Sequence, residues 1–227
     1  MKVYQIYFKK EQELFLEPEF IPLLNGTCSP YFESKVIEQL VLQEEHLGEP
    51  YFGVVAYKLR EKLGFMKENW KNNKNIANIS VTEFTVERFI YELYKNQPDA
   101  MSFQRHAPHD TVMVANGFHP GFRKYWEHIM KEIGFDWKPT LLEHVCYCNY
   151  FVARTHIYQD FVMEMLSPAI KVMDEMPELW GNSNYPQALP QNLQDQWGIK
   201  HYPFHAFICE RFFSWYAHVK NLKCLHY

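Results

Sequence analysis

The sequence predicts an α/β fold in which a mostly parallel central sheet is flanked by helices, with one domain over residues 1–227. Two observations predict it. Short runs rich in β-branched and aromatic residues alternate along the chain with segments that carry apolar residues at helical spacing. Hydrophobic residues make up 47% of the 227 residues and aromatic residues 17%, which is enough for a sizeable core.

The predicted strands are apolar runs of the kind that a sheet covered on both faces contains. They cover residues 3–8 (VYQIYF), 51–57 (YFGVVAY), 100–104 (AMSFQ) and 144–153 (HVCYCNYFVA), with a further short strand at 112–115 (VMVA). Residues 11–31 are predicted to form a long irregular loop because three prolines break their periodicity. An Asn-rich surface loop is predicted at residues 69–78.

The predicted helices carry apolar residues at i, i+3 and i+4 and begin at residues that favour a helix N-terminus. Their predicted starts are Ser34, Thr82 or Thr85, Pro120, about Thr155 and a position near Lys200. Gly134 closes the helix after Pro120, which has the clearest apolar face. Pro168 is expected to kink or split the helix that starts near Thr155.

Charge and hydropathy limit the partners of the protein. The chain carries 27 acidic and 23 basic residues without a basic block, so we expect no nucleic-acid partner. The start MKVYQIYFKK lacks the pattern of a signal peptide, and no run of about eighteen apolar residues predicts a membrane span. We therefore expect a cytoplasmic protein without a transmembrane segment, in which the five scattered cysteines are reduced thiols.

Several common catalytic motifs are missing from the sequence. It contains no Gly-rich phosphate loop, no G-x-G-x-x-G, no G-x-S-x-G and no H-E-x-x-H. Their absence argues against a P-loop enzyme, a common dehydrogenase or a serine hydrolase.

Histidines follow the third predicted strand. His106, His109 and His119, with Asp110 between them, suit a metal site through imidazole and carboxylate ligands, or they are structural and solvent-exposed. His119 also stands at the predicted N-terminus of a helix, where free N–H groups favour a phosphate or carboxylate ligand. The alternative there is a simple turn that leads into the helix.

Polar residues also stand at or within two predicted strands. Gln104, Arg105 and His106 end the third strand at the point where a ligand site in an α/β sheet begins, and Arg105 suits a phosphate or a carboxylate. A surface arginine is the alternative. Asn149 lies in an otherwise apolar strand and needs hydrogen-bond partners if it is buried, in the sheet or in a ligand.

Glu210 is an acidic residue in a largely apolar helix. At about 100° per residue it points away from the main apolar stripe, into small and apolar neighbours. Desolvation there would raise the pKa of a carboxyl group towards the range that suits a general base. The alternative is a buried ion pair with Arg105 or Arg154, since the adjacent Arg211 points about 100° away on the helix.

Five segments together give the chain a family resemblance. They are VYQIYF, YFGVVAYKLREK, HPGF, YCNYFVA and PFHAFICERFFSWYA. This combination resembles bacterial and viral glycosyltransferases of capsular or surface polysaccharide synthesis, which have compact GT-A-like folds. The resemblance implies a nucleotide-diphospho-sugar transferase that binds its donor at the carboxyl edge of the sheet.

The resemblance also implies roles for individual residues. The donor side is expected at Tyr7, Asn25, Gln104, Arg105, His106 and His119, the acceptor at Asn149 and the general base at Glu210. The family carries a D-x-D motif that holds a divalent cation, Mn or Mg, where this chain has Gln104, Arg105 and His106. The cofactor therefore stays open, and Arg105 or His106 could neutralise the diphosphate instead.

The resulting hypothesis is transfer of a sugar from a nucleotide sugar, with a UDP-sugar as the expected donor, to a hydroxyl of a glycan acceptor. Glu33 and Asp110 are reserve candidates for the base. Aromatic residues in loops could stack on sugars, or they are packing residues: Tyr31, Tyr51, Trp180, Tyr185 and Trp197. The competing hypotheses are a non-catalytic nucleotide- or carbohydrate-binding protein and a metal-dependent hydrolase that uses the histidines and Asp110.

Overall fold

The computed structural model describes residues 1–26, 28–59, 85–103 and 106–227. The expected Asn-rich loop at 69–78, the alternative helix start at Thr82, and the candidate site residues Gln104 and Arg105 lie outside these ranges.

A six-stranded mixed sheet forms the centre of the structure, with the strand order β2-β1-β3-β5-β4-β6. Its strands are β1 Lys2–Tyr7, β2 Ile21–Leu24, β3 Tyr51–Ala56, β4 Ala100–Ser102, β5 Phe151–Arg154 and β6 Cys224–His226. β5 runs antiparallel to both of its neighbours, and the other pairings are parallel. The predicted α/β fold with a mostly parallel sheet is therefore confirmed.

Helices connect the strands and cover both faces of the sheet. They are α1 Glu33–Leu42, α2 Val86–Asn96, α3 Thr111–Phe118, α4 Phe122–Glu132, α5 Thr155–Phe161, α6 Ser167–Asp174, α7 Gln191–Trp197 and α8 His205–Val219. A π-helical turn, Val162–Leu166, joins α5 to α6, and Pro168 lies in the first turn of α6. Pro168 therefore follows a change of helical pitch within a continuous helical run, because proline cannot donate the backbone hydrogen bond of a regular α-helix interior.

Three sequence predictions of secondary structure were wrong. Residues 112–115 form part of α3 instead of a strand, because the Asp110 side chain caps the helix by accepting from the N–H groups of Val112 and Met113. The predicted strand at 144–153 is reduced to β5, because Cys148 and Asn149 have φ values of 56° and 57°. The predicted irregular loop at 11–31 contains β2, an edge strand in which Pro22 is tolerated.

Two apolar clusters lie on opposite faces of the sheet, and β3 contributes to both of them. Phe52 and Val54 belong to the cluster shared with α1, α4, α5 and α8, whereas Tyr51 and Val55 belong to the cluster under α2. Between them, Gly53 pairs with Val152 of β5. A Cβ atom at Gly53 would lie 2.8 Å from Cγ2 of Val152, so this close approach requires glycine.

The sheet topology brings several chain segments to one edge. The carboxyl ends of β1, β2, β3, β4 and β6 lie at the same edge, and the chain enters antiparallel β5 from that edge. After β1 the chain continues to β2 on one side and then to β3 on the other, so the strand order reverses between β1 and β3. In open α/β sheets such a reversal leaves a crevice at the carboxyl ends where ligands bind.

Candidate functional site

Tyr7 and Asn25 lie side by side at the carboxyl edge. Tyr7 ends β1, and its carbonyl oxygen accepts a hydrogen bond of 2.7 Å from the backbone N–H of Asn25, directly after β2. The Tyr7 hydroxyl is hydrogen-bonded to Glu13, which raises the pKa of Tyr7, and Asn25 is buried. Tyr57, directly after β3, is joined to β1, because its backbone N–H donates to the carbonyl oxygen of Ile6. The structure thus brings Tyr7 and Asn25 together at the carboxyl edge, where β1 also borders the strand-order reversal.

Asn149 is held by a helix rather than by the sheet. It lies before β5, and its Nδ2 donates to Oγ of Ser34 in the first turn of α1 across 3.3 Å. Ser34 also hydrogen-bonds the Cys209 thiol of α8, one residue before Glu210. Of the alternatives for Asn149, a side-chain partner within the sheet is therefore not found among the described residues, and Ser34 joins Asn149 to α8.

Unusual backbone conformations flank this contact. Phe32, at the start of α1, has φ 47° and ψ −123°, and Cys148 has φ 56°. Positive φ is costly for bulky side chains and persists only where surrounding contacts enforce it. The strained residues thus lie on both sides of the hydrogen bond between Asn149 and Ser34, as is common at functional sites.

Glu210 pairs with its neighbour in sequence. Nη1 of Arg211 lies 3.3 Å from Oε2 of Glu210, and the same nitrogen donates to the carbonyl oxygen of Phe207. The prediction that Arg211 is a poor partner was wrong, because its long side chain turns back towards the N-terminus of α8, as helical side chains do. Arg154, one of the expected partners, lies 3.4 Å from Asp99 instead.

The two members of this pair differ in exposure. The Glu210 side chain is 26% exposed to solvent, whereas the Arg211 side chain is 9% exposed. Phe122 and Tyr147 flank the guanidinium, each with its ring centroid 5.2 Å from Cζ. Glu210 is therefore reachable by a ligand, and the arginine beside it is held by aromatic rings.

His119 lies beside the same pair, between α3 and α4. Its Nδ1 is 2.6 Å from the carbonyl oxygen of Ser183, which can only accept, so Nδ1 carries the proton and Nε2 keeps its lone pair in the neutral ring. The ring stacks on Phe207 at a centroid distance of 4.2 Å. Burial lowers the pKa of His119, and the Arg211 charge lowers it further, against opposing effects of Ser183 and Glu210.

Tyr147 connects this pair to two further histidines. His109 Nε2 lies 2.5 Å from the Tyr147 hydroxyl, and His109 Nδ1 donates to the carbonyl of Ala107 across 2.7 Å. The His106 ring packs edge-on against Tyr147, with centroids 4.9 Å apart. Burial lowers the pKa of His106 to about 4 and raises the pKa of Tyr147 to about 12. His106 and Tyr147 are therefore neutral near pH 7.

The residues of the metal-hydrolase hypothesis are engaged in other contacts. Oδ1 of Asp110 caps α3, and its Oδ2 accepts from the backbone N–H of Thr140 at 2.9 Å. Both ring nitrogens of His109 have partners, and His119 lies at the opposite end of α3. Over the described ranges, no group of three or more His, Cys, Asp or Glu side chains has a geometry that could hold a metal ion.

An aromatic wall, defined as Tyr185, Tyr202 and Phe207, begins beside His119, whose ring stacks on Phe207. The Tyr185 ring lies 5.1 Å from that of Tyr202 and 5.2 Å from that of Phe207, and all three side chains are half-buried. Burial raises the pKa of Tyr202, with smaller contributions from Tyr185, Glu33 and Tyr57. The wall therefore offers three partly exposed aromatic faces beside His119.

The sequence identified only part of this wall. Tyr185 was an expected stacking residue, but Tyr202 and Phe207 were missed because their proximity depends on how the 177–204 segment folds over α8. Tyr31 and Tyr51 are buried core residues. Trp180 and Trp197 pack against each other with centroids 5.5 Å apart, beside the wall.

Searches of protein-family models, of curated proteins and of solved structures find no match to this chain. In the part of the chain that the structure describes, no helix has both the length and the apolar character needed to span a membrane.

Proposed function

We propose that the protein is a GT-A-like glycosyltransferase that moves a sugar from a nucleotide sugar to a hydroxyl group of a glycan acceptor. One observation carries the proposal. Glu210, His119 and Asn149 come from different segments of the chain and are joined by one set of contacts near the carboxyl edge, from which the chain enters β5. The carboxyl edge is where open α/β sheets bind nucleotides.

The donor fits the carboxyl edge. Tyr7 and Asn25, at the ends of β1 and β2, line the position proposed for the nucleotide. His106 follows β4, close to Tyr147, on the side proposed for the diphosphate. A UDP-sugar remains the expected donor, and such a donor fits the cytoplasmic location expected from the sequence.

Glu210 fits the role of general base in an inverting transfer. It would take the proton of the acceptor hydroxyl while that oxygen attacks the anomeric carbon. The bond from this carbon to the diphosphate oxygen breaks, and the nucleoside diphosphate leaves with the bonding electrons. The partial exposure of Glu210 supports this role, because an acceptor can reach its carboxylate.

The acceptor fits the aromatic wall and Asn149. Sugar rings stack their C–H faces on aromatic side chains, and Tyr185, Tyr202 and Phe207 offer such faces next to His119. The same wall would also suit a protein that binds glycans without turning them over, so the deciding experiment must measure chemistry.

Release of free nucleotide tests the proposal. The purified full chain is incubated with UDP-, GDP- and CMP-sugars, with and without a mixture of oligosaccharide acceptors, and nucleotide release is followed with a coupled assay. We expect release with one donor class, increased by acceptor and lost in Glu210→Gln. Binding of a nucleotide sugar without release under any acceptor condition would instead identify a binding protein.

A further inference from the structure

Arg211 has more hydrogen-bond donors than acceptors around it. A guanidinium carries five N–H donors and is always charged. The Arg211 side chain is 9% exposed, and its Nη1 donates to Phe207 O and Glu210 Oε2. Its Nε is buried without a hydrogen-bond partner, and both hydrogen bonds that the guanidinium makes to described residues come from Nη1 rather than Nη2.

Nε and Nη2 lie on one edge of the guanidinium. The N–H bonds of Nε and Nη2 run parallel, and this fork matches two oxygens of a phosphate or carboxylate. Nη1, which makes both contacts to the protein, lies on the other side. The contact of Nη1 with Glu210 is single and 3.3 Å long, so the carboxylate does not use the fork.

The surroundings hold this fork in place. Phe122 and Tyr147 flank the guanidinium, and the bond to the Phe207 carbonyl fixes its far side. Tyr147 beside it is neutral near pH 7 and burial lowers the pKa of His119, so among the described residues its ion-pair partner is Glu210. A buried N–H donor without an acceptor is costly, and a bound anion would supply an acceptor to Nε.

We propose that Arg211 binds a phosphate group through Nε and Nη2, and that this is a phosphate of the donor's nucleoside diphosphate. The anion site itself follows from the geometry of Arg211. Only the identification of its ligand as the leaving nucleoside diphosphate rests on the proposed function. On that assignment, Arg211 neutralises the charge that develops on the leaving group, a role that a cation held by a D-x-D motif would otherwise fill.

Titration calorimetry of the full chain with inorganic phosphate, pyrophosphate and UDP tests the site. We expect pyrophosphate and UDP to bind to the wild type, and Arg211→Met to weaken both by at least about tenfold. Arg211→Lys keeps the charge but lacks the fork, so its affinity for both ligands should lie between the affinities of the wild type and of Arg211→Met. This variant also tests the site if Arg211→Met does not fold. Arg123→Met is the matched control, because Arg123 is an exposed arginine paired with Glu127.

Glu210→Gln provides a second test, in which the affinity for the anion is expected to rise instead of fall. Removing the carboxylate beside Nη1 lowers repulsion of an incoming anion, so phosphate affinity should rise severalfold. Absence of binding to the wild type at millimolar ligand, or equal binding by Arg211→Met, would overturn the inference. Binding lost in Arg211→Met without turnover of any sugar nucleotide would keep the anion site and contradict the glycosyltransferase proposal. If turnover were unchanged in Arg211→Met, the glycosyltransferase proposal would stand and the phosphate site at Arg211 would be contradicted.

Discussion

Asn149 donates a hydrogen bond from Nδ2 to Oγ of Ser34 across 3.3 Å, and both side chains are buried. The bond joins the turn before β5 to the first turn of α1. Asn149 also has φ 57°, a conformation that asparagine tolerates better than most residues. The residue therefore serves two structural requirements at once, and they can be separated by substitution.

Asn149→Ala is expected to lower the free energy of unfolding by about 2 kcal/mol. The substitution removes a hydrogen bond, and alanine adopts a positive φ less readily than asparagine does. Asn149→Gly loses only the hydrogen bond and should cost about 1 kcal/mol. Urea denaturation at pH 7 measures both values. Equal losses in the two variants would show that the left-handed backbone contributes no strain.

Gly53→Ala is expected to destabilise the sheet by about 1–3 kcal/mol, because the new methyl group would overlap Val152 of β5. The matched control is Gly117→Ala in α3, where no atom lies within 4 Å of the new Cβ. That substitution should raise the free energy of unfolding by about 0.4–1 kcal/mol. Chemical denaturation of both variants gives the comparison, and a neutral Gly53→Ala would contradict the close approach of β3 and β5.

Glu210→Gln is expected to lower kcat of glycosyl transfer by about 10²–10⁴-fold with little change in donor KM, because it removes the proposed general base. Glu164→Gln is a control of the same chemistry, since Glu164 forms a surface ion pair with Lys220 at 2.6 Å. Initial rates across a pH series measure both variants. If Glu210→Gln kept the wild-type rate, the base would have to be another residue, and His119 with its fixed Nδ1 proton would be the next to replace.

His205 is expected to make the protein less stable in acid. It is 2% exposed between Tyr31 and Trp180, and burial lowers its pKa from 6.5 to about 4. Between these values the unfolded state holds more protons than the folded state, so stability falls as the pH drops from 6.5 towards 4.

We expect His205 to account for about 2–3 kcal/mol of the stability lost between pH 7 and pH 4.5. His205→Phe should remove this part of the loss, as measured by urea unfolding at the two pH values. The exposed residue His156 supplies the control, His156→Gln. A pH dependence in His205→Phe equal to that of the wild type would show that other groups cause the acid destabilisation.

Local patterns in the sequence were sufficient for the central elements of the fold. The buried runs of β1 and β3 and the amphipathic α4 lie where their composition and periodicity predict them. The edge strands β2 and β6 are four and three residues long, too short for a pattern of their own. Their pairing is determined by the neighbours that they meet in the folded chain.

The site was predicted less completely, because its contacts depend on side-chain reach and on distant segments. Sequence spacing alone predicts that adjacent helical residues face apart, yet Arg211 is long enough to return to Glu210. Helical periodicity likewise says nothing about Ser34, which becomes the partner of Asn149 only when α1 packs beside the turn before β5.

The reversed direction of β5 makes the far end of the sheet suitable for reporters. β5 begins at the carboxyl edge of the other strands, so the chain that follows it emerges at the opposite edge. There Thr155 hydrogen-bonds to the backbone carbonyl groups of Glu49 and Pro50. β3 spans six residues, so the two edges are about 20 Å apart. A fluorophore attached at position 156 would therefore report on folding without touching a ligand at the proposed site.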